Sequence, residues 1–243
     1  MPAKPKKSTL NPAVVIALIG LTGTLITAMF TSPVLIELIK RSGATATSVA
    51  PTSVPPSSAT LVFTQNFEDG TTSGLALKQG TWKVVRDRSN RVLEFAASGS
   101  DWPGGTLFFG PSDLSDFVIE FQVKFTKLSG LYLNFHEQEN GDSYVVSFDP
   151  DESVIVWATN MFDGTNWQFS PVGRASTQPF TFQPDVWYSV RVEMRGEQVV
   201  VDINGNRTVS GSDSLFSNGS LRFELRPNAV ILLDDIKVWS LDQ

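Results

Sequence analysis

The chain has 243 residues, 19 basic and 25 acidic, with one histidine and no cysteine, for a net charge of −6. Without cysteine there are no disulfides or thiolate metal sites, and a lone histidine with no Gly-x-Ser-x-Gly turn leaves neither a zinc cage nor a serine triad. The acidic balance argues against nucleic acid as a partner, because tracking phosphates requires a positive surface.

Residues 12–36, PAVVIALIGLTGTLITAMFTSPVLI, carry no charge. At about 1.5 Å per residue this run exceeds the roughly 30 Å hydrocarbon core of a bilayer, and the expectation is one membrane-spanning anchor over residues 12–39. Lys4, Lys6 and Lys7 precede it and Lys40 and Arg41 follow it. That modest bias favours a cytoplasmic tail over residues 1–11 and places the rest of a single-pass protein outside the cell membrane. The competing reading is a secretory signal peptide cut near Ala44-Thr45-Ala46. Against it, the run is longer than the roughly 7–15 residues of a signal core, and Glu37, Lys40 and Arg41 intervene. Gly20, Thr24 and Ala28 recur at intervals of four and offer a small-residue face to other membrane subunits.

Residues 42–60, SGATATSVAPTSVPPSSAT, hold only small polar residues, prolines and a few aliphatics. They read as a linker, since they have too little apolar surface to fold. Residues 61–243 form the extracytoplasmic domain, large enough for a full core. Taking Lys4, Lys6, Lys7, Lys40 and Arg41 from the 19 basic residues and Glu37 from the 25 acidic ones leaves 14 against 24, or −10, beyond the anchor. A cysteine-free domain of this size outside the membrane fits a bacterial surface.

From residue 61 onward, short runs rich in Val, Ile, Phe, Tyr and Trp alternate with Gly, Asn, Asp and Pro. Strands are predicted over residues 61–67, 81–86, 92–96, 106–109, 117–126, 131–137, 143–148, 154–158, 186–195, 198–203, 219–226 and 230–239. Phe117, Ile119, Phe121, Val123 and Phe125 alternate with polar residues, as do Tyr188, Val190, Val192 and Met194, and Leu221, Phe223 and Leu225. Each such strand has one core face. Strands of this kind imply an all-β fold of two packed antiparallel sheets.

The centre of the domain is the most informative part. With Leu131, Leu133 and Phe135 inward, Tyr132, Asn134 and His136 face outward. With Tyr144, Val146 and Phe148 inward, Ser147 joins them. Taking Val154, Val156 and Ala158 as the core triplet puts Trp157 on the same outer face. Tyr132, Asn134, His136, Ser147 and Trp157 then combine aromatic plates for a pyranose ring with short polar groups for its hydroxyls. The same set is compatible with cross-strand pairing that serves the sheet alone. Trp102 and Trp167 fall in loop-like sequence and are candidate contacts from the loops.

Glu120, Glu193 and Glu224 alternate with Lys124, Arg191, Arg195, Arg222 and Arg226. This reads as a charge-balanced outer surface rather than a catalytic pair of acids. Glu68, Asp69, Asp149, Asp234 and Asp235 supply the oxygen ligands that calcium prefers.

The segments Trp82-Lys83-Val84, Asp116-Phe117-Val118-Ile119-Glu120, Gly130-Leu131-Tyr132-Leu133, Tyr144-Val145-Val146-Ser147-Phe148, Trp187-Tyr188-Ser189-Val190-Arg191-Val192, Val201-Asp202-Ile203-Asn204-Gly205 and Asp234-Asp235-Ile236-Lys237-Val238 follow one another in a distinctive order. On them the chain resembles the concanavalin A-like lectin and glucanase superfamily, especially laminin-G-like domains related to the bacterial 3-keto-disaccharide hydrolase family. The resemblance implies a jelly-roll sandwich and a carbohydrate-related role. The acidic turn Asn66-Phe67-Glu68-Asp69-Gly70 and the closing Asp234-Asp235-Ile236 also resemble jelly-roll carbohydrate-binding modules. That likeness implies one structural Ca2+ at Glu68 and Asp235. The Glu-x-Asp-x-x-Glu strand of the laminarinase-like branch is absent, which favours binding over catalysis. The expected function is therefore membrane-anchored binding of a glycan or cell-envelope polymer. The alternatives are an accessory subunit of a membrane complex and a hydrolase acting on a disaccharide derivative.

Overall fold

A computed structural model describes residues 59–97, 99–151, 154–172, 176–177 and 180–241. The chain divides into two compact units, Met1–Val49 and Ala50–Gln243, and every described residue belongs to the second. The anchor over 12–39 and nearly all of the 42–60 linker lie outside the described residues.

The described residues form sixteen strands: β1 (Ala59–Gln65), β2 (Leu75–Gln79), β3 (Thr81–Asp87), β4 (Asn90–Ala96), β5 (Gly105–Leu114), β6 (Phe117–Lys127), β7 (Leu131–Glu137), β8 (Ser143–Asp149), β9 (Val154–Phe162), β10 (Trp167–Pro171), β11 (Ser176–Thr177), β12 (Trp187–Arg195), β13 (Gln198–Ile203), β14 (Asn206–Ser212), β15 (Gly219–Leu225) and β16 (Val230–Leu241). They build two antiparallel sheets. One has nine strands in the order β11-β14-β13-β12-β6-β16-β4-β3, with β1 pairing β16, and the other has seven in the order β10-β9-β8-β7-β15-β5-β2. The result is a two-layer antiparallel sandwich of the jelly-roll type.

The period-two pattern settles the packing. Phe117, Ile119, Phe121, Val123 and Phe125 of β6, with Tyr188, Val190, Val192 and Met194 of β12, point from the nine-stranded sheet into the core. Leu131, Leu133 and Phe135 of β7, Tyr144, Val146 and Phe148 of β8, and Leu221, Phe223 and Leu225 of β15 meet them from the other sheet. Phe121 crosses the interface to pack edge-on against Phe223, with ring centroids 4.9 Å apart. The outer face of the nine-stranded sheet is a charge lattice in which Arg191 bridges Glu120 at 2.7 Å and Glu193 at 2.8 Å. Asn204 (φ 51°) and Gly205 (φ 76°) form the two-residue turn of the β13–β14 hairpin, a conformation open to asparagine and glycine.

Four strands escape the sequence pattern. β2, β10 and β11 are outermost in their sheets, and every residue of β10 is exposed, so no alternation marks it. The fourth, β14, reads NRTVSGS, a sequence of turn residues held in place by pairing with β13. Trp167, read from sequence as a loop residue, opens the edge strand β10.

Candidate functional site

The outer face of the seven-stranded sheet is assembled from alternate residues of neighbouring strands. Tyr132 of β7 lies opposite Ser147 of β8 on one side and Glu224 of β15 on the other. Asn134 pairs with Val145 of β8, and Ser143 pairs with Asn160 of β9, which itself faces Phe169 of β10. All of these except Ser143, together with Asp149, Trp167, Arg226 and Trp102, line a cavity of about 570 Å³. That size lies within the roughly 300–1,000 Å³ typical of small-molecule sites.

The rim is aromatic. Trp102, in the segment joining β4 to β5, is 49% exposed and meets Tyr132 edge-on at 5.0 Å between ring centroids. Gly130 has no Cβ, and one built there would lie 2.8 Å from the Tyr132 ring, so the tyrosine ring takes the space that a side chain at 130 would fill. Trp167 and Phe169, each 46% exposed, stand on the β10 side.

The floor is polar, and its charges are paired. Asp149 accepts from the Tyr132 hydroxyl at 3.4 Å and from Arg226 Nη1 at 3.1 Å. Arg222 donates to Glu137 at 2.6 Å and lies 3.0 Å from Glu224, while Asn134 Nδ2 reaches Glu224 at 3.4 Å and Ser143 Oγ donates to Asn134 Oδ1 at 3.1 Å. Burial pushes the Glu224 carboxyl above its ordinary range, and the neighbouring Glu137 charge adds to it, against the pull of Arg222. Burial also raises Glu137. Tyr132 is pushed up to about 12, first by burial and then by Asp149, so its hydroxyl stays protonated as a hydrogen-bonding group.

Of the five residues expected on this face, Tyr132, Asn134 and Ser147 line the cavity, joined by Trp102 and Trp167. Two are corrected. Trp157 is fully buried rather than on the outer face: it pairs with the inward-facing Val146, and Ile155 and Trp157 of β9 both belong to the core. Its ring packs against Tyr144 at 5.7 Å between centroids. His136 is also fully buried. Its φ of 50° breaks the alternation of β7, and the ring turns among Phe117, Phe135 and Tyr144. Its Nε2 lies 2.7 Å from the Ser115 carbonyl oxygen and its Nδ1 3.0 Å from that of Phe216, and burial lowers its pKa.

Sequence reading missed Val145, Asp149, Asn160, Phe169, Glu224 and Arg226. Asp149 shares the alternation of Ser147 and was legible as a facing residue. Alternation puts Glu224 and Arg226 on a charged outer surface, and only the pairing of β15 with β7 turns that surface into a cleft floor.

Glu68 and Asp235 lie away from this cleft. Glu68 Oε1 accepts from the Arg91 backbone N–H at 3.0 Å, and Asp235 (φ 48°) occupies a β16 bulge between Asp234 and Lys237. Asp234, 4% exposed, accepts from Asn90 Nδ2 and from the Asp235 backbone N–H. Burial first, with the Asp235 and Glu68 charges adding, pushes its carboxyl up to about 7. Among the described residues no three acidic or histidine side chains converge as a metal cage.

The family model described as a 3-keto-alpha-glucoside-1,2-lyase-like domain matches residues 61–235. No curated protein sequence matches the chain. Among solved structures, the carbohydrate-binding module CBM66 from Bacillus subtilis is 14% identical, with a TM-score of 0.55 over 69% of this chain and 96% of that one. A Bacillus subtilis protein of unknown function with a galectin-like fold is 12% identical, with a TM-score of 0.53 over 76% of this chain and 99% of that one. Domain 4 of the GH43 extracellular arabinanase AbnA from Geobacillus stearothermophilus, in complex with arabinotriose, is 14% identical, with a TM-score of 0.50 over 76% and 94%. Such likenesses carry the fold, which binding modules and glycoside hydrolases share.

Proposed function

The chain belongs to the 3-keto-alpha-glucoside-1,2-lyase-like domain family, and from that premise we propose that its sandwich binds a neutral carbohydrate in the cleft between Trp102 and Trp167. The observation that carries the reading is an aromatic rim over a polar floor within one 570 Å³ cavity. The aromatic faces cover the apolar side of a sugar ring, while Asn134, Ser147, Asn160 and the paired carboxylates offer partners to its hydroxyls. Asp149 and Glu224 are both held in arginine ion pairs, which suits fixed hydrogen-bond acceptors. The test is calorimetric titration of the full chain in mild detergent with a panel of neutral mono- and disaccharides. Saturable heat that Trp102→Ala removes supports the reading, and no heat with any sugar rejects it.

A second reading has one observation in its favour: Asp149 and Glu224 open onto the same cavity. On a 3-keto glycoside, a carboxylate would take the C2 proton, whose acidity the adjacent ketone raises. The electron pair would form a C1=C2 double bond, the C1–O bond would break, and the departing oxygen would take a proton from water. Enone absorbance that appears with the wild type and vanishes in both Asp149→Asn and Glu224→Gln would establish this chemistry.

Display on the outer face of a membrane is part of the proposal and rests on the uncharged run 12–36 and its lysine flanks. Stoichiometric membrane proteins retained in a mild-detergent pull-down would favour the accessory-subunit role. We further propose a structural Ca2+ beside Glu68 and Asp235. The fit is partial: a cation would offset the Glu68 and Asp235 charges felt at Asp234, but backbone carbonyls and water would have to complete the six to eight oxygens calcium takes.

A further inference from the structure

We propose that the ligand is a neutral glycan chain longer than the cleft, and that it leaves along the β9–β10 hairpin with Phe162 as its outermost stacking plate. The proposal rests on the carbohydrate reading above and concerns where the ligand goes beyond the cavity.

The hairpin register puts four residues on one face. Trp167 pairs with Phe162, and Phe169 pairs with Asn160. Asn160, Trp167 and Phe169 line the cavity, whereas Phe162 is two positions along β9 from Asn160, or roughly 7 Å outward at the rise of an extended strand. Its ring centroid lies 5.3 Å from that of Trp167. Phe162 is 47% exposed, next to Trp167 and Phe169 at 46% each, so the cleft rim continues into an aromatic strip on an edge hairpin. A contiguous apolar strip of this kind on an otherwise polar edge marks a contact surface.

The strip is held in place before any ligand arrives. Gly141 (φ +90°) turns its bare Cα to Trp167, and a Cβ built there would lie 2.8 Å from the indole. The Phe162 backbone N–H donates to Asp142 Oδ1 at 2.9 Å. Asp163 Oδ1 accepts from the Thr165 and Asn166 amides at 2.8 Å each, and Gln168 Nε2 donates to Asp163 Oδ2 at 2.8 Å. Rigid plates lose little entropy when a partner stacks on them.

Charge selects the occupant. Residues 129–173, which span β7 through β10, include Glu137, Glu139, Asp142, Asp149, Asp151, Glu152 and Asp163 but no lysine or arginine. The one arginine lining the cavity, Arg226, is held by Asp149 at 3.1 Å and Asp151 at 3.4 Å, so an anionic polymer or an anionic lipid surface would be repelled. A neutral chain meets the rings with its apolar faces and the carboxylates with its hydroxyls.

The test is titration of the full chain in nanodiscs with neutral gluco-oligosaccharides of one to six units, in α- and β-linked series. Wild-type affinity is expected to rise with length beyond the unit that fills the cleft. Phe162→Ala should lose that increment, roughly three- to tenfold, while leaving the shortest binder unchanged, and Phe162→Trp should restore it. Affinity independent of length, or an equal loss at every length in Phe162→Ala, overturns the inference and leaves the cleft reading standing. Failure of every sugar overturns both. Tryptophan quenching by brominated lipid that disappears in Trp167→Phe would assign the hairpin to the bilayer and also overturn the inference.

Discussion

Replacing Trp157 with alanine is expected to lower the melting temperature by roughly 6–20 °C while leaving the cleft chemistry in place. The indole is fully buried and packs on Tyr144, so truncation removes a large apolar volume between the sheets. Such losses cost about 3–5 kcal/mol, and each kcal/mol shifts the midpoint of a domain this size by roughly 2–4 °C. Trp157→Phe separates packing from hydrogen bonding. The indole Nε1 is buried and finds no acceptor among the described residues, a condition that costs about 1–3 kcal/mol. Phenylalanine removes that burden and keeps an aromatic ring beside Tyr144, so its net effect should stay within about 2 kcal/mol of wild type. The assay is circular dichroism melting of both variants, with sugar titration well below their midpoints. A Trp157→Ala variant that melts within a degree of wild type but no longer binds would overturn the assignment of this indole to the core. Trp157 would then be a sugar plate, as its place in the sequence first suggested.

Two further perturbations address the charges. Arg222 serves two buried carboxylates, Glu137 and Glu224, so Arg222→Ala should cost on the order of 3–5 kcal/mol at neutral pH. Both carboxyls already stand above their ordinary range, and the penalty should shrink in acid as they take up protons; a loss independent of pH in denaturant titrations would contradict this. Asp234 has a folded pKa of about 7 against an ordinary 3.8, so the folded state binds the proton more tightly than the unfolded chain does. Its contribution to stability is therefore greatest below pH 3.8 and declines as pH rises through 7. Added Ca2+ should raise the melting temperature most at pH 8, and Asp235→Ala should abolish the rise. A melting temperature indifferent to both Ca2+ and chelator would end the calcium proposal.

The fold was legible because its central strands carry one wet and one dry face. β7 and β13 fall at their predicted boundaries, and β6 and β12 within a residue of theirs, since alternating Phe, Val and Ile admit one register toward the core. Exposed edges gave no such signal, and β10 went unrecognised even though it supplies Trp167 and Phe169 to the cleft. The site was half legible. Tyr132, Asn134 and Ser147 follow from simple alternation on β7 and β8. For β9, Val154-Ile155-Val156-Trp157-Ala158 is apolar at every position, so periodicity cannot choose the inward face, and pairing with β8 decides it. His136 illustrates a different limit, because a single left-handed residue at a strand end reverses the face that alternation assigns. Glu224 and Arg226 acquire their place only when β15, some ninety residues later in the chain, docks beside β7.

Carbohydrate binding in the cleft is tested by hydrogen–deuterium exchange of the full chain with and without a saturating neutral oligosaccharide. Slowed exchange is expected in the segment around Trp102 and in β10, where the cleft rim is built from an exposed loop and an edge strand. Protection confined to the outer face of the nine-stranded sheet, around Glu120 and Arg191, would contradict it.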